Sequence, residues 1–205
     1  MISAREALDR LREGNQRFAS DVRSQHPLSG HARRHELTAG QEPLAIILGC
    51  SDSRVPAELV FDQGLGDLFV IRVAGNIVAP SLVGSVEFAA AMFGTRLVVV
   101  LGHSQCGAIK ATLDDLQQRT GLPSRNVQSI VDRVRPAIRG LLDTNLRDQP
   151  DRLMQEAVRA NIRASADHLR HGSALLEELI AREGLLVVGA EYSLETGVVD
   201  FFDVP

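Results

Sequence analysis

The chain has 205 residues, a formal net charge of −4 and a hydrophobic fraction of 44%. That is the size of one compact domain with a substantial core, without the clustered basic excess of a nucleic-acid or membrane-surface binder. Two cysteines do not make a secreted disulfide framework, Met1-Ile2-Ser3-Ala4-Arg5-Glu6 has no leader pattern, and no run of about 20 apolar residues could span a membrane. The expectation is one cytoplasmic domain over 1–205, with no nucleic-acid partner and no membrane segment.

Residues 2–18 have helical spacing, with Ala7, Leu8, Leu11 and Phe18 on one face and Arg5, Glu6, Arg12 and Glu13 off it. Residues 19–42 are polar and broken by Pro27, Gly30 and Gly40, which predicts an arm or loop with a short helix around 32–37. Four short apolar runs follow: Leu44–Leu48 before Gly49 and Cys50, Leu68–Val73, Leu97–Leu101 before Gly102 and His103, and Leu185–Val188 before Gly189. They are rich in branched residues and barely alternate, as strands covered on both faces by helices do.

Between them, 82–93, 108–118, 127–142 and 153–182 read as helices, the last divided in two by Gly172. Residues 119–126 form the internal loop. Val198–Phe202 follows the turn-like Glu195-Thr196-Gly197, which predicts a closing hairpin and an antiparallel edge strand. The fold class is therefore α/β: a central, mostly parallel sheet of about five strands flanked by helices, with an N-terminal helical arm over 1–40.

Cys50 and His103 occupy equivalent places, each just past the carboxyl end of a predicted strand and after a glycine. Ligands collect at that edge of an open α/β sheet. Cys106 follows His103 by three residues, where the next helix begins and its dipole favours thiolate. The two cysteines can bridge, stay free or bind a metal. Two thiolates and one imidazole suit zinc, and three protein ligands suit a catalytic site, which keeps one position open, better than a structural one.

Asp52 lies two residues beyond Cys50, and Arg54 two further on. The Asp52 carboxylate can reach a metal as a fourth ligand or accept a hydrogen bond from water there. Arg54 can hold it by a bidentate pair and keep it ionised. The plainer alternative is a capping aspartate with a surface ion pair. Pro56 is placed to start the next helix.

Four segments together resemble the beta-class carbonic anhydrases: Cys-Ser-Asp-Ser-Arg-Val-Pro-Ala-Glu (50–58), Phe-Val-Ile-Arg-Val-Ala-Gly-Asn (69–76), Gly-Ser-Val-Glu-Phe-Ala (84–89) and Gly-His-Ser-Gln-Cys-Gly-Ala (102–108). The opening residues 7–15, Gly189-Ala190-Glu191-Tyr192 and the final strand extend the resemblance over nearly the whole chain. It implies zinc-dependent reversible hydration of carbon dioxide to bicarbonate and a proton. The attack is by zinc-bound hydroxide, with one Zn2+ per chain on Cys50, His103 and Cys106 and with Asp52 and Arg54 as a catalytic dyad. Asp52 becomes a fourth ligand in a closed state, expected at lower pH.

The resemblance further implies a homodimer or dimer of dimers, with the N-terminal helices packed on the partner. Gln41 matches a substrate-binding glutamine that often acts across the dimer interface. Phe69, Ala74, Phe88 and Gly107 match the substrate pocket. Without the resemblance, Phe69 and Phe88 read as core and Gln41 as a polar loop residue. A subset of the family has an inhibitory bicarbonate site made of Trp, Arg and Tyr. Arg72 and Tyr192 match two of its places, but Ile47 stands at the Trp place and the chain has no Trp, so that site is expected to be absent.

Other readings are another enzyme of the scaffold, hydrolysing carbon disulfide or carbonyl sulfide, and a structural or redox-sensing metal site. Nucleotide binding lacks its glycine-rich signatures. His26, His31, His35, His168 and His171 lie in polar segments and are expected on the surface.

Overall fold

The computed structural model describes residues 2–22, 30–118 and 121–205. Helix α1 (Ala4–Ala19) is capped by the Ser3 hydroxyl, which accepts from Glu6 N. It is followed by the single turn α2 (His31–Glu36), then strand β1 (Ala45–Gly49) and the short α3 (Ala57–Val60), with Pro56 as its N-cap rather than its first residue. Next come β2 (Leu68–Arg72), α4 (Pro80–Met92), β3 (Leu97–His103), α5 (Gly107–Leu116) and α6 (Arg125–Ile138). The chain closes with α7 (Pro150–His171), α8 (Ala174–Glu183), β4 (Leu186–Tyr192) and β5 (Val199–Asp203). His26, Arg119 and Thr120 lie outside the described residues.

The strands form one five-stranded sheet in the order β2-β1-β3-β4-β5, parallel except for β5. The turn before β5 uses Gly197 at φ 75°, and Ser193 and Val198 bond across it. Two strands differ in extent from the sequence reading. β3 runs on through His103, and β4 runs to Tyr192, because the two pair in register from Leu97↔Leu186 to His103↔Tyr192. His103 is therefore the last residue of its strand rather than the first beyond it.

Every residue of β1 and β3 is buried, since both faces are covered. One face packs on α4, α6, α7 and α8 through residues such as Ile46, Val98, Val134 and Ile162. The other packs on α1 and α3 through Ile47, Val99, Leu8, Leu11 and Phe61. The apolar face of α1 is thus buried on its own chain. Asn15 fixes it there, donating to Val60 O and Gly197 O and accepting from Val199 N. The sequence reading sends this helix to a partner; within one chain its apolar positions pack on the sheet. No helix among the described residues is long and apolar enough to cross a membrane.

Candidate metal centre

β1 and β3 are neighbours although β2 lies between them in the chain, so the connections from their carboxyl ends leave in opposite directions. A crevice opens at such a switch point. Cys50 follows β1, His103 ends β3, and Cys106 is the N-cap of α5. The three side chains offer ligand atoms that all lie within 4.8 Å of one another, and all three residues are buried.

The Cys50 and Cys106 Sγ atoms are 4.0 Å apart. Two sulfurs at about 2.3 Å from one tetrahedral zinc would stand about 3.8 Å apart. His103 Nδ1 lies 2.9 Å from Ser104 O. A carbonyl only accepts, so Nδ1 carries the proton and Nε2 carries the lone pair. Nε2 is buried and has no hydrogen-bond partner among the described residues. An orphaned imidazole nitrogen beside two thiols is a donor set that fits a soft divalent cation.

The electrostatics agree. The Cys106 thiol beside it brings Cys50 down to about 4, against the upward pull of burial, and Gly75 N–H donates to its Sγ at 3.4 Å. Cys106 moves the other way, raised first by Cys50 and then by burial. Two thiolates this close repel, so one ionises and the other holds its proton unless a cation joins them. Burial pulls His103 down more than any single neighbour lifts it, but the Cys50 sulfur, the Ser104 carbonyl and the Asp52 carboxylate together turn the net direction upward.

Asp52 sits at the rim. Arg54 holds it by two parallel bonds, Nε to Oδ1 at 2.8 Å and Nη2 to Oδ2 at 2.7 Å, and Arg54 N also donates to Oδ1 at 3.0 Å. Asp52 Oδ2 is 3.8 Å from His103 Nε2. The paired carboxylate stands beside the three-residue cluster rather than within it. Arg72 braces the same loop from β2, its Nε donating to Cys50 O at 3.0 Å and its Nη2 to Asp52 O at 2.6 Å. Ile47, at the Trp place of the inhibitory site, is fully buried in β1.

The expected pocket residues divide. Ala74 precedes Gly75, whose amide reaches Cys50, and Gly107 follows Cys106. Gln41 precedes the amino end of β1, and Phe69 pairs with Ile46 near that same end. Cys50 lies beyond the opposite end of β1, about 3.3 Å further per residue. Phe69 clusters with Phe88 and Phe93, at ring separations of 5.6–6.4 Å. One chain therefore does not bring Gln41, Phe69 and Phe88 to its own cysteines. His31, His35, His168 and His171 are exposed.

The sequence reading missed Gly75, Arg72 as a brace, and two residues of α7. Asn161 Nδ2 donates to Gly75 O at 2.8 Å, and Ser165 Oγ donates to Asn76 O at 3.1 Å. A signal for the pair was present: both fall among Val158, Ile162, Ala166 and Leu169, on the buried stripe of a helix.

The profile of the family described as carbonic anhydrase matches residues 45–199. "Carbonic anhydrase 2" of Mycobacterium tuberculosis is 42% identical over 187 residues, 91% of this chain and 87% of that protein. The carbonic anhydrase of Mycolicibacterium smegmatis is 40% identical over 190 residues, 93% of this chain and 89% of that one. Among solved structures, the beta-carbonic anhydrase CcaA matches with a TM-score of 0.74 at 29% identity, covering 97% of this chain and 99% of that chain. One of two tetrameric beta-carbonic anhydrases of the ascomycete Sordaria macrospora matches at 0.70 and 26% identity, covering 84% and 88%.

Proposed function

The chain belongs to the beta-class carbonic anhydrase family, whose members are carbonate dehydratases, and from that premise we propose zinc-dependent hydration of carbon dioxide at Cys50, His103 and Cys106, with Asp52 and Arg54 as the catalytic dyad. The observation that carries this reading is the convergence of two thiols and an orphaned imidazole nitrogen within 4.8 Å. Zinc on these residues would supply Lewis acidity, which makes water a nucleophile near neutral pH. Three protein ligands leave a position for that water.

The chain's own groups do the rest. Asp52 Oδ2 accepts a hydrogen bond from the O–H of the reacting water and so turns an oxygen lone pair toward the carbon of CO2. Arg54 keeps the carboxylate ionised and aimed, since its two bonds fix both oxygens. Arg72 holds the Cys50 and Asp52 carbonyls, so Cys50 and the dyad are braced as one loop. If Arg54 let go, the Asp52 carboxylate would be free to serve as a fourth ligand to the metal.

The assembly is a homodimer or a dimer of dimers. Phe88 and Met92 stand one helical turn apart on α4 and are 51% and 67% exposed, beside β2, which among the described residues has only β1 as a sheet neighbour. A second copy there would cover apolar surface and bring Gln41, Phe69 and Phe88 toward the other chain's metal site. Stripping the metal, adding back zinc and measuring CO2 hydration tests the reading: activity should vanish and return.

A further inference from the structure

We propose that Asn161 and Ser165 of α7 are positioning residues that set how strongly the Cys50 sulfur donates to the metal, an inference that rests on the metal site proposed above. The connection is direct. Gly75 N–H donates to Cys50 Sγ at 3.4 Å. The carbonyl of the same residue accepts from Asn161 Nδ2 at 2.8 Å, and the next carbonyl, of Asn76, accepts from Ser165 Oγ at 3.1 Å. Asn161 and Ser165 are one helical turn apart on the same face, 3% and 5% exposed. They grip two consecutive carbonyls of one short turn.

That turn needs gripping. Gly75 sits at φ 74° and Asn76 at φ 42°, so two left-handed residues follow one another, the second with a side chain. Such a conformation persists where its surroundings over-determine it. On one side Gly75 is closely approached, since a Cβ there would lie 3.0 Å from Ala108 Cβ. On the other side, Asn161 and Ser165 form part of the wall of a cavity of about 800 Å³ that also reaches Ile77, Pro80, Arg133 and His168. With a cavity behind them, the two hydrogen bonds rather than close packing hold the turn against α7.

The chemical consequence falls on sulfur. An N–H aimed at a thiolate withdraws charge from it, so the sulfur donates less to a metal and leaves that metal a stronger Lewis acid. The Gly75 carbonyl and the Gly75 N–H lie on adjacent peptide planes joined at one Cα, so if Asn161 no longer holds the carbonyl, the turn relaxes about that Cα and the N–H can leave Cys50. The sulfur then becomes the stronger donor, although no ligand has changed.

The test uses cobalt(II), which takes zinc's donor sets and gives a near-ultraviolet sulfur-to-metal charge-transfer band beside the visible d–d bands of a four-coordinate ion. Wild-type protein should show that band; its absence would overturn the metal assignment itself. Asn161→Ala should keep a four-coordinate cobalt spectrum while the band moves to lower energy, as a stronger sulfur donor requires. Ser165→Ala, which keeps the helix and nearly all its volume, should move the band the same way by less, and it decides the matter if Asn161→Ala does not fold. A wild-type band with unshifted bands in the folded variants, whatever their stability, would overturn the positioning role and leave the metal site standing.

Discussion

Asp52 Oδ2 stands 3.8 Å from His103 Nε2, the buried ring nitrogen left without a hydrogen-bond partner among the described residues. The carboxylate is close enough to act on a group that a metal on that nitrogen would hold, yet its own hydrogen bonds go to Arg54. Asp52→Asn keeps the shape and removes the charge. The variant should retain one zinc per chain while CO2 hydration falls about 100-fold or more, the scale of a lost proton-handling group. Metal analysis beside stopped-flow rates checks both halves.

Arg54 gives the site a pH signature of definite sign. Its hydrogen bonding holds the Asp52 carboxyl well below the usual carboxylate range, against burial, which pulls upward. A group whose folded pKa is depressed adds stability above its unfolded value, about 3.9 for Asp, and loses it as pH falls through the folded value. In metal-free protein, Arg54→Ala should therefore be less stable than wild type by a constant margin above about pH 5, and the margin should shrink below about pH 4. Arg54 is half exposed, so the margin is small. Urea denaturation over a pH series measures it, and a margin that widened on acidification would contradict the account.

Gly102 precedes His103 because the core leaves no room for a side chain there. A Cβ at Gly102 would lie 2.5 Å from Ile162 Cδ1, and one at Gly189 on the neighbouring strand would lie 2.9 Å from Ile162 Cγ2. Gly102→Ala should cost about 1–3 kcal/mol by overpacking. Adding Ile162→Val, which removes the Cδ1 atom, should recover part of that loss, so the two changes should not be additive. Denaturation midpoints of the two single variants and the double variant form the cycle.

The exposed face of α4 makes an assembly prediction. Phe88→Glu with Met92→Glu should lower the mass in solution toward that of one chain, measured by light scattering, and should lower activity because Gln41, Phe69 and Phe88 do not reach the cysteines of their own chain. An unchanged mass would place the interface elsewhere.

Much of this was legible because the key residues adjoin the strands. Cys50 and His103 follow apolar runs that read as buried strands, so the sheet edge and the Cys50–His103–Cys106 cluster emerged together. Cys106 and the Asp52–Arg54 spacing are local, and local spacing survives folding. The extent of β4 was hidden by Gly189, where the apolar run breaks, and by Glu191, a charge inside a strand that is 8% exposed. Its partner is Arg159, which reaches it from α7, 32 residues away, at 2.7 Å. No pattern in the sequence links the two. The turn at 74–76 was read as part of a motif, but its grip by Asn161 and Ser165 joins segments 86 and 89 residues apart. The resemblance named Gln41, Phe69 and Phe88 without showing which end of the sheet they occupy, and the register of β1 with β2 supplied that.

The most direct test is CO2 hydration by stopped flow on three preparations: zinc-loaded protein, metal-stripped protein, and Cys106→Ser after incubation with zinc. The account predicts fast turnover only in the first, zinc bound at one per chain there, and little metal or activity in the third. Full zinc occupancy without turnover in the first, or unchanged turnover in Cys106→Ser, would contradict it.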